Sequence, residues 1–159
     1  MSYYKKPKNH EALLWSIALP GFGQFLNGRL FKGSIFILLE FLINVLSNFN
    51  LAIIYSFTGE IQKAINVINY QWLMFYPCLY MFAMWDAYRD AEGEINPYSY
   101  IPFVFGAFFL TIGLIYSTKL KVVGVLFGPV FLPMLALVPG LTVGLIIYYI
   151  VLTPNYRRQ

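Results

Sequence analysis

Charge is what this chain has least of: 11% of its 159 residues are Asp, Glu, Lys or Arg, where soluble domains average about 25%. So thin a charged complement excludes a fully solvated surface. Histidine and cysteine are scarcer. His10 and Cys78 each stand alone, which excludes multi-histidine metal sites, H-E-x-x-H motifs and an intramolecular disulfide. No glycine-rich stretch ends in G-K-[ST], as a phosphate loop must. The acidic run Asp90-Ala91-Glu92-Gly93-Glu94 lacks calcium-loop spacing and reads as a solvated connector. This inventory points away from an enzyme: no catalytic, cofactor-binding or metal-binding residues are assigned, and no cofactor is expected.

Apolar residues fill the space, at 59% of the chain with 15 Phe and 13 Tyr. Four stretches, residues 31–49, 70–88, 98–116 and 133–152, are long enough to cross a hydrocarbon core of about 30 Å at 1.5 Å per residue. Aromatic residues at their ends (Trp72, Trp85, Tyr88, Tyr98, Tyr116, Tyr148) suit the headgroup level. Residues 12–26 are apolar but interrupted by Pro20-Gly21-Phe22-Gly23, so a straight spanning helix is not expected there. The same interruption, with no A-x-A-like site after it, argues for a retained segment over a cleaved signal peptide. Ile61, Ala64, Ile65 and Ile68 recur at helical spacing and predict a short interfacial helix. Residues 122–132 either extend the last span as a kinked helix or make a half-helix of their own. The predicted fold is thus an all-α integral membrane protein with about four full transmembrane helices, a broken or re-entrant N-terminal segment and a short interfacial helix. A polar basic arm (1–11) precedes a single membrane domain (12–152), and a short basic tail (153–159) follows.

The basic residues choose between two topologies. If the N-terminal segment crosses, Lys5, Lys6, Lys8, Lys63, Lys119 and Lys121 oppose Arg29, Lys32, Arg89, Arg157 and Arg158, and no bias results. If it dips in and returns, only Lys63, Lys119 and Lys121 oppose the other eight. The second arrangement predicts a multi-pass protein of the cell membrane, the cytoplasmic membrane of a prokaryote, with both termini cytoplasmic. A net charge of +4, in short clusters beside apolar segments, suits anionic headgroups and not nucleic acid.

Four groups of residues stand out. Glu40 lies near the middle of the first span, where an ionisable group costs at least about 2.5–3.5 kcal/mol unless it faces protein or water. Gly33, Glu40, Asn44 and Ser47 share one helical face. That stripe is either a solute or ion path or packing glue, in which Glu40 bonds a neighbouring helix, with Gln24 and Asn27 as candidate partners. Pro20, Gly21, Gly23, Gln24, Asn27 and Gly28 form a broken-segment motif in which the two amides can satisfy freed backbone groups. Asp86 and Arg89, at i and i+3, allow a membrane-edge ion pair, with Asp90 beside them. Gly124/Gly128 and Gly140/Gly144 are two small-xxx-small pairs suited to helix packing. Cys78, beside Pro77, reads as a small packing residue.

Pro20-Gly21-x-Gly23-Gln24, Gly28 and Lys32-Gly33, followed by Trp85-Asp86-Ala87-Tyr88 at the end of a later span, resemble the small prokaryotic membrane proteins related to the two-transmembrane-segment domain family. The likeness covers roughly residues 12–91. This chain differs by an extra loop and helix between the two signatures and by two further spans. The resemblance implies a membrane location and no reaction, since the family has no agreed activity. The functional expectation is a small accessory or structural subunit of a membrane complex, binding the lipid bilayer and either a membrane-protein partner or a second copy of itself. The alternative is a small oligomeric transporter or channel with a polar path around Glu40.

Overall fold

The structure is a computed structural model describing residues 6–156; Lys5, Arg157 and Arg158 of the charge argument lie outside them. Helices dominate: α1 (Asn9–Ala18), α2 (Phe22–Leu26), α3 (Leu30–Ser47), α4 (Phe49–Phe57), α5 (Ile61–Val67), α6 (Tyr70–Leu73), α7 (Tyr76–Asp90), α8 (Ile101–Tyr116) and α9 (Gly128–Tyr156), with a two-residue-per-strand hairpin of β1 (Lys121–Val122) and β2 (Val125–Leu126) before α9. The all-α class follows from this order. Two of these helices, α3 and α9, are long and apolar enough to cross a membrane, and α8 is a shorter apolar helix.

The N-terminal segment is a helical hairpin. Pro20 excludes the α region for the residue before it, and Leu19 is extended (φ −155°, ψ 120°), which ends α1. Gly21 then takes φ +108°, and a Cβ there would meet the Gly33 carbonyl oxygen at 2.6 Å, so only glycine fits. The chain folds back, and Gly23 of α2 lies against Ser16 and Ala12 of α1. α1 runs antiparallel to α7: the Glu92 amide donates to Pro7 O at 3.0 Å, Ala12 clusters with Ala87 and Ala91, and the Tyr80 hydroxyl donates to Ile17 O. Both ends of the hairpin therefore lie level with the C-terminal end of α7. The helix begins at Asn9, inside the stretch expected to be a polar arm.

The remaining long helices form a row. α3 lies antiparallel to α7, with Phe36 against Phe82 at a ring-centroid distance of 6.0 Å. α8 lies antiparallel on the other side, with Trp85 against Tyr100 at 6.5 Å and Tyr88 against Phe103 at 6.4 Å. α9 returns along α8 with glycines at the contact: a Cβ at Gly140 would sit 2.6 Å from Phe109 Cβ, and one at Gly144 would sit 2.6 Å from Pro102 Cα. Small residues at these positions let the two helices approach closely. Pro133 and Pro139 fall inside α9, which continues through both.

Three expectations are corrected here. Residues 122–132 are neither a half-helix nor wholly part of the last span, because Val123 and Gly124 both take positive φ, which turns a β-hairpin and delays the helix to Gly128. A Cβ at Gly124 would meet nothing within 4 Å, and one at Gly128 would meet Ile61, so the two do not form a helix-packing pair. The stretch after residue 48 is also helical. Asn48 adopts the left-handed region (φ 59°), tolerated by a short polar side chain, and α4 leaves at a new angle. Together α4, α5 and α6 cap this end of the row, burying Ala52, Ala64, Ile68 and Leu73 against Leu114 of α8. The predicted 70–88 span is accordingly divided between α6 and the 15-residue α7, with Pro77 in the first turn of α7, where its missing N–H costs nothing.

Candidate functional site

Asp86 is the centre of the best-organised polar site. It lies on the last turns of α7, 2% exposed, where a lone carboxylate would be strongly disfavoured. Three donors converge on it. Lys32 Nζ is 3.0 Å from Oδ1, Arg89 Nη2 is 2.8 Å from Oδ1, and Gln24 Nε2 is 3.2 Å from Oδ2. Lys32 also reaches Asp90 Oδ2 at 3.0 Å, and Arg29 Nε lies 3.5 Å from the same oxygen. Burial alone would raise the Asp90 carboxyl; Lys32 and Arg89 outweigh it and hold the group below its ordinary value.

The amides of the Pro-Gly motif belong to this site. Gln24, fully buried, donates from Nε2 to Ala83 O at 2.8 Å as well as to Asp86. Both neighbours accept only, which fixes the amide with nitrogen toward α7 and leaves Oε1 without a partner. Asn27 Nδ2 donates to Ala87 O at 2.8 Å. Gly23 approaches to where a Cβ would lie 2.6 Å from Ala87 Cβ. Thus the glycine-rich motif and the Trp85-Asp86-Ala87-Tyr88 signature, some 60 residues apart, are the two halves of one contact. Glycine provides the approach, the amides bond α7's carbonyls, and Lys32 and Gln24 neutralise and satisfy Asp86.

Glu40 is a separate site. Its Oε1 accepts a hydrogen bond from the Tyr76 hydroxyl at 3.0 Å, while Oε2 is buried with no partner. Neither Gln24 nor Asn27 bonds it, because both are held near the C-terminal end of α7, at Ala83 and Ala87, whereas Glu40 meets Tyr76 at its N-terminal end; the expected partners are thereby corrected. Tyr76 stacks on Tyr80 with rings 5.5 Å apart, and meets Phe49 at 5.1 Å. The rest of the stripe is structural. Gly33 packs under the Phe25 ring. Asn44 Oδ1 accepts from the Asn50 amide at 3.1 Å, supplying an acceptor to the first turn of α4. Ser47, fully buried, gives its carbonyl to the Asn69 amide at 3.0 Å, and Asn48 Nδ2 donates to Val67 O at 3.2 Å.

The sequence singled out Asp86, Arg89, Gln24 and Glu40 but not what joins them. Arg29 was read only as a topology charge, Lys32 as a topology charge and part of the glycine-rich motif, and Tyr76 only as part of an apolar run. A usable signal existed for Lys32, which follows the Pro-Gly motif at the edge of a span, where a cation is in reach of an edge carboxylate. Cys78, read as a packing residue, is exposed on the α7 surface.

What the geometry defines is an all-α protein whose N-terminal hairpin is latched to α7 through a buried carboxylate. No family model matches the chain, and no curated protein or solved structure matches it either.

Proposed function

We propose that this chain is a multi-pass integral membrane protein that acts without catalysis, as a small accessory or structural subunit of a membrane complex. The observation that carries the reading is how its intramembrane polar groups are used. Gln24, Asn27, Asn44, Ser47 and Asp86 each bond another part of the same chain, while the outward faces are apolar, as at Phe31, Leu38 and Phe41 on α3 and Val138, Ile146 and Ile150 on α9. Polar residues inside and large hydrophobics outside are what a bilayer selects. A protein of this kind offers partners its helix faces.

The proposed topology has four crossings and a re-entrant hairpin. Two helices meet the length requirement, α3 and α9. α7 and α8 lie between them in the row and cross with them, although at 15 and 16 residues they need a locally thin bilayer. Lys6, Lys8, Arg29, Lys32 and Arg89 cluster about Asp90 and Glu92 at one end. Lys63 in α5, Lys119 after α8 and Lys121 at the start of β1 lie at the other. The excess of cations makes the Asp90 end cytoplasmic. The likeness to the two-transmembrane-segment domain proteins supports the same location.

The test is affinity purification of the tagged chain in mild detergent with native mass measurement. A stoichiometric membrane partner supports the subunit reading. One specific observation favours the transport alternative, namely the buried, unpartnered Oε2 of Glu40. Cysteines placed at Asn44 and Ser47 decide between them: protection from soluble thiol reagents supports packing, and rapid modification in a homo-oligomer supports a path. A reporter after Thr58 that proves cytoplasmic overturns the topology.

A further inference from the structure

A groove of about 600 Å³ runs between α7 and α8, walled by Met81, Phe82, Trp85, Tyr100, Val104 and Phe108. It lies on a different side of α7 from the N-terminal hairpin. Its α8 wall, from Tyr100 to Thr111, is about 17 Å long at 1.5 Å per residue, close to one leaflet of a ~30 Å hydrocarbon core. One end is aromatic and basic. Trp85 lies beneath the Arg89 guanidinium, 4.6 Å from ring centroid to Cζ, and meets Tyr100 edge-on. Arg89 uses Nε on Asp90 and Nη2 on Asp86 and Asp90; its Nη1 donates to no protein group among the described residues, and the side chain is 39% exposed. Around the carboxylates Asp86 and Asp90, the cations Arg29, Lys32 and Arg89 are in excess.

We propose that the α7–α8 groove holds one acyl chain of an anionic phospholipid, with the lipid phosphate on Arg89. The proposal rests on the membrane reading above and names a partner for it. Three features select this occupant. The groove is apolar along its length, which gives a free phosphate nothing to bury. Its length is that of a chain in one leaflet, with the tryptophan and tyrosine at headgroup depth. The cation at its mouth is already steered by two carboxylates, leaving a free guanidinium edge for a phosphate oxygen. Asp86 and Asp90 thus position Arg89 rather than neutralise the mouth.

The purified chain, in mild detergent, is mixed with phosphatidylglycerol or with phosphatidylcholine of the same acyl chains, and lipid retention is read by native mass spectrometry. One phosphatidylglycerol per chain, favoured by about tenfold or more over phosphatidylcholine, is the expected result. Arg89→Gln lowers retention to the phosphatidylcholine level. Val104→Trp, at a position 56% exposed, fills the groove and lowers retention of both lipids while leaving the melting temperature unchanged; it decides the matter if Arg89→Gln does not fold. Equal retention of the two lipids, or phosphatidylglycerol retention untouched by Val104→Trp, overturns the proposal. So does a lipid-free dimer with the groove in its interface. Alkaline extraction of cell membranes separates this failure from that of the underlying reading: a chain released by carbonate is not integral, whereas a chain retained without lipid preference sinks only the lipid site.

Discussion

Gln24 Nε2 lies 3.2 Å from Asp86 Oδ2 and 2.8 Å from Ala83 O, so a single amide ties the N-terminal hairpin to both the carboxylate and the backbone of α7. Replacing Gln24 with Leu removes a donor from a buried carboxylate, and we expect a loss of about 1–3 kcal/mol. Gln24→Glu sets a second carboxylate beside Asp86 and costs more. Thermal melting of detergent-solubilised protein at pH 7 measures both effects. Gln24→Glu as stable as the parent at pH 7 contradicts the assigned contact.

Glycines separate by what surrounds them. A Cβ at Gly23 would lie 2.2 Å from Ser16 Oγ and 2.4 Å from Ala12 O, and the second is backbone that cannot rotate away. Gly23→Ala should therefore open the α1–α2 contact and cost about 1–3 kcal/mol by overpacking. Gly124 has φ +79° and open space around it, so Gly124→Ala carries only the left-handed backbone penalty, about 1–2 kcal/mol. Proteolysis within residues 6–28 reports the difference: Gly23→Ala increases cleavage there and Gly124→Ala does not.

Asp90 gives the site a pH dependence with a definite sign. Its folded-state pKa lies below the ordinary value, because Lys32 and Arg89 outweigh the effect of burial. Its stabilisation is therefore full above the unfolded carboxylate value, about 3.9, and is lost as pH falls through the lower folded value. Asp90→Asn should lower the melting temperature at pH 6 and leave it close to the parent's once the parent's own carboxylate is protonated. An unchanged difference between the two proteins from pH 6 to pH 3 argues against the Lys32–Asp90 pair.

The Glu40–Tyr76 bond predicts an asymmetry between its partners. Glu40→Gln retains a carbonyl oxygen for the Tyr76 hydroxyl, 3.0 Å away in the parent, and puts an amide nitrogen in place of the unpartnered Oε2. Tyr76→Phe instead strands Glu40 with neither carboxylate oxygen bonded, and should be the more destabilising by about 1 kcal/mol or more. Melting curves of both single variants and the double variant give the coupling. Tyr76→Phe no worse than Glu40→Gln contradicts this geometry.

Much of the architecture was legible along the chain. The Pro20-Gly21 break was readable because proline restricts the residue before it and glycine permits positive φ, and the turn falls there. The positions of α3, α8 and most of α9 were readable as apolar runs, since helix length in an apolar medium is set locally. α4 was missed because the first span was ended at residue 49, whereas one left-handed asparagine, Asn48, redirects the chain there into a new helix. The β-hairpin at 121–126 was missed because its turn is hidden inside an apolar run.

By itself the sequence determined that this is a helical, strongly apolar chain with a glycine-broken start and isolated polar residues. Those properties follow from residue type and spacing, which act over one or two helical turns. Only the tertiary structure decided the pairings: Gln24 and Lys32 with Asp86, Asn27 with Ala87, Tyr76 with Glu40, Gly140 and Gly144 with α8. Each joins residues on different helices, and their choice depends on which faces can approach closely enough to remove the cost of a buried polar group. That condition is set by packing among many residues at once, and no single stretch of the chain carries it.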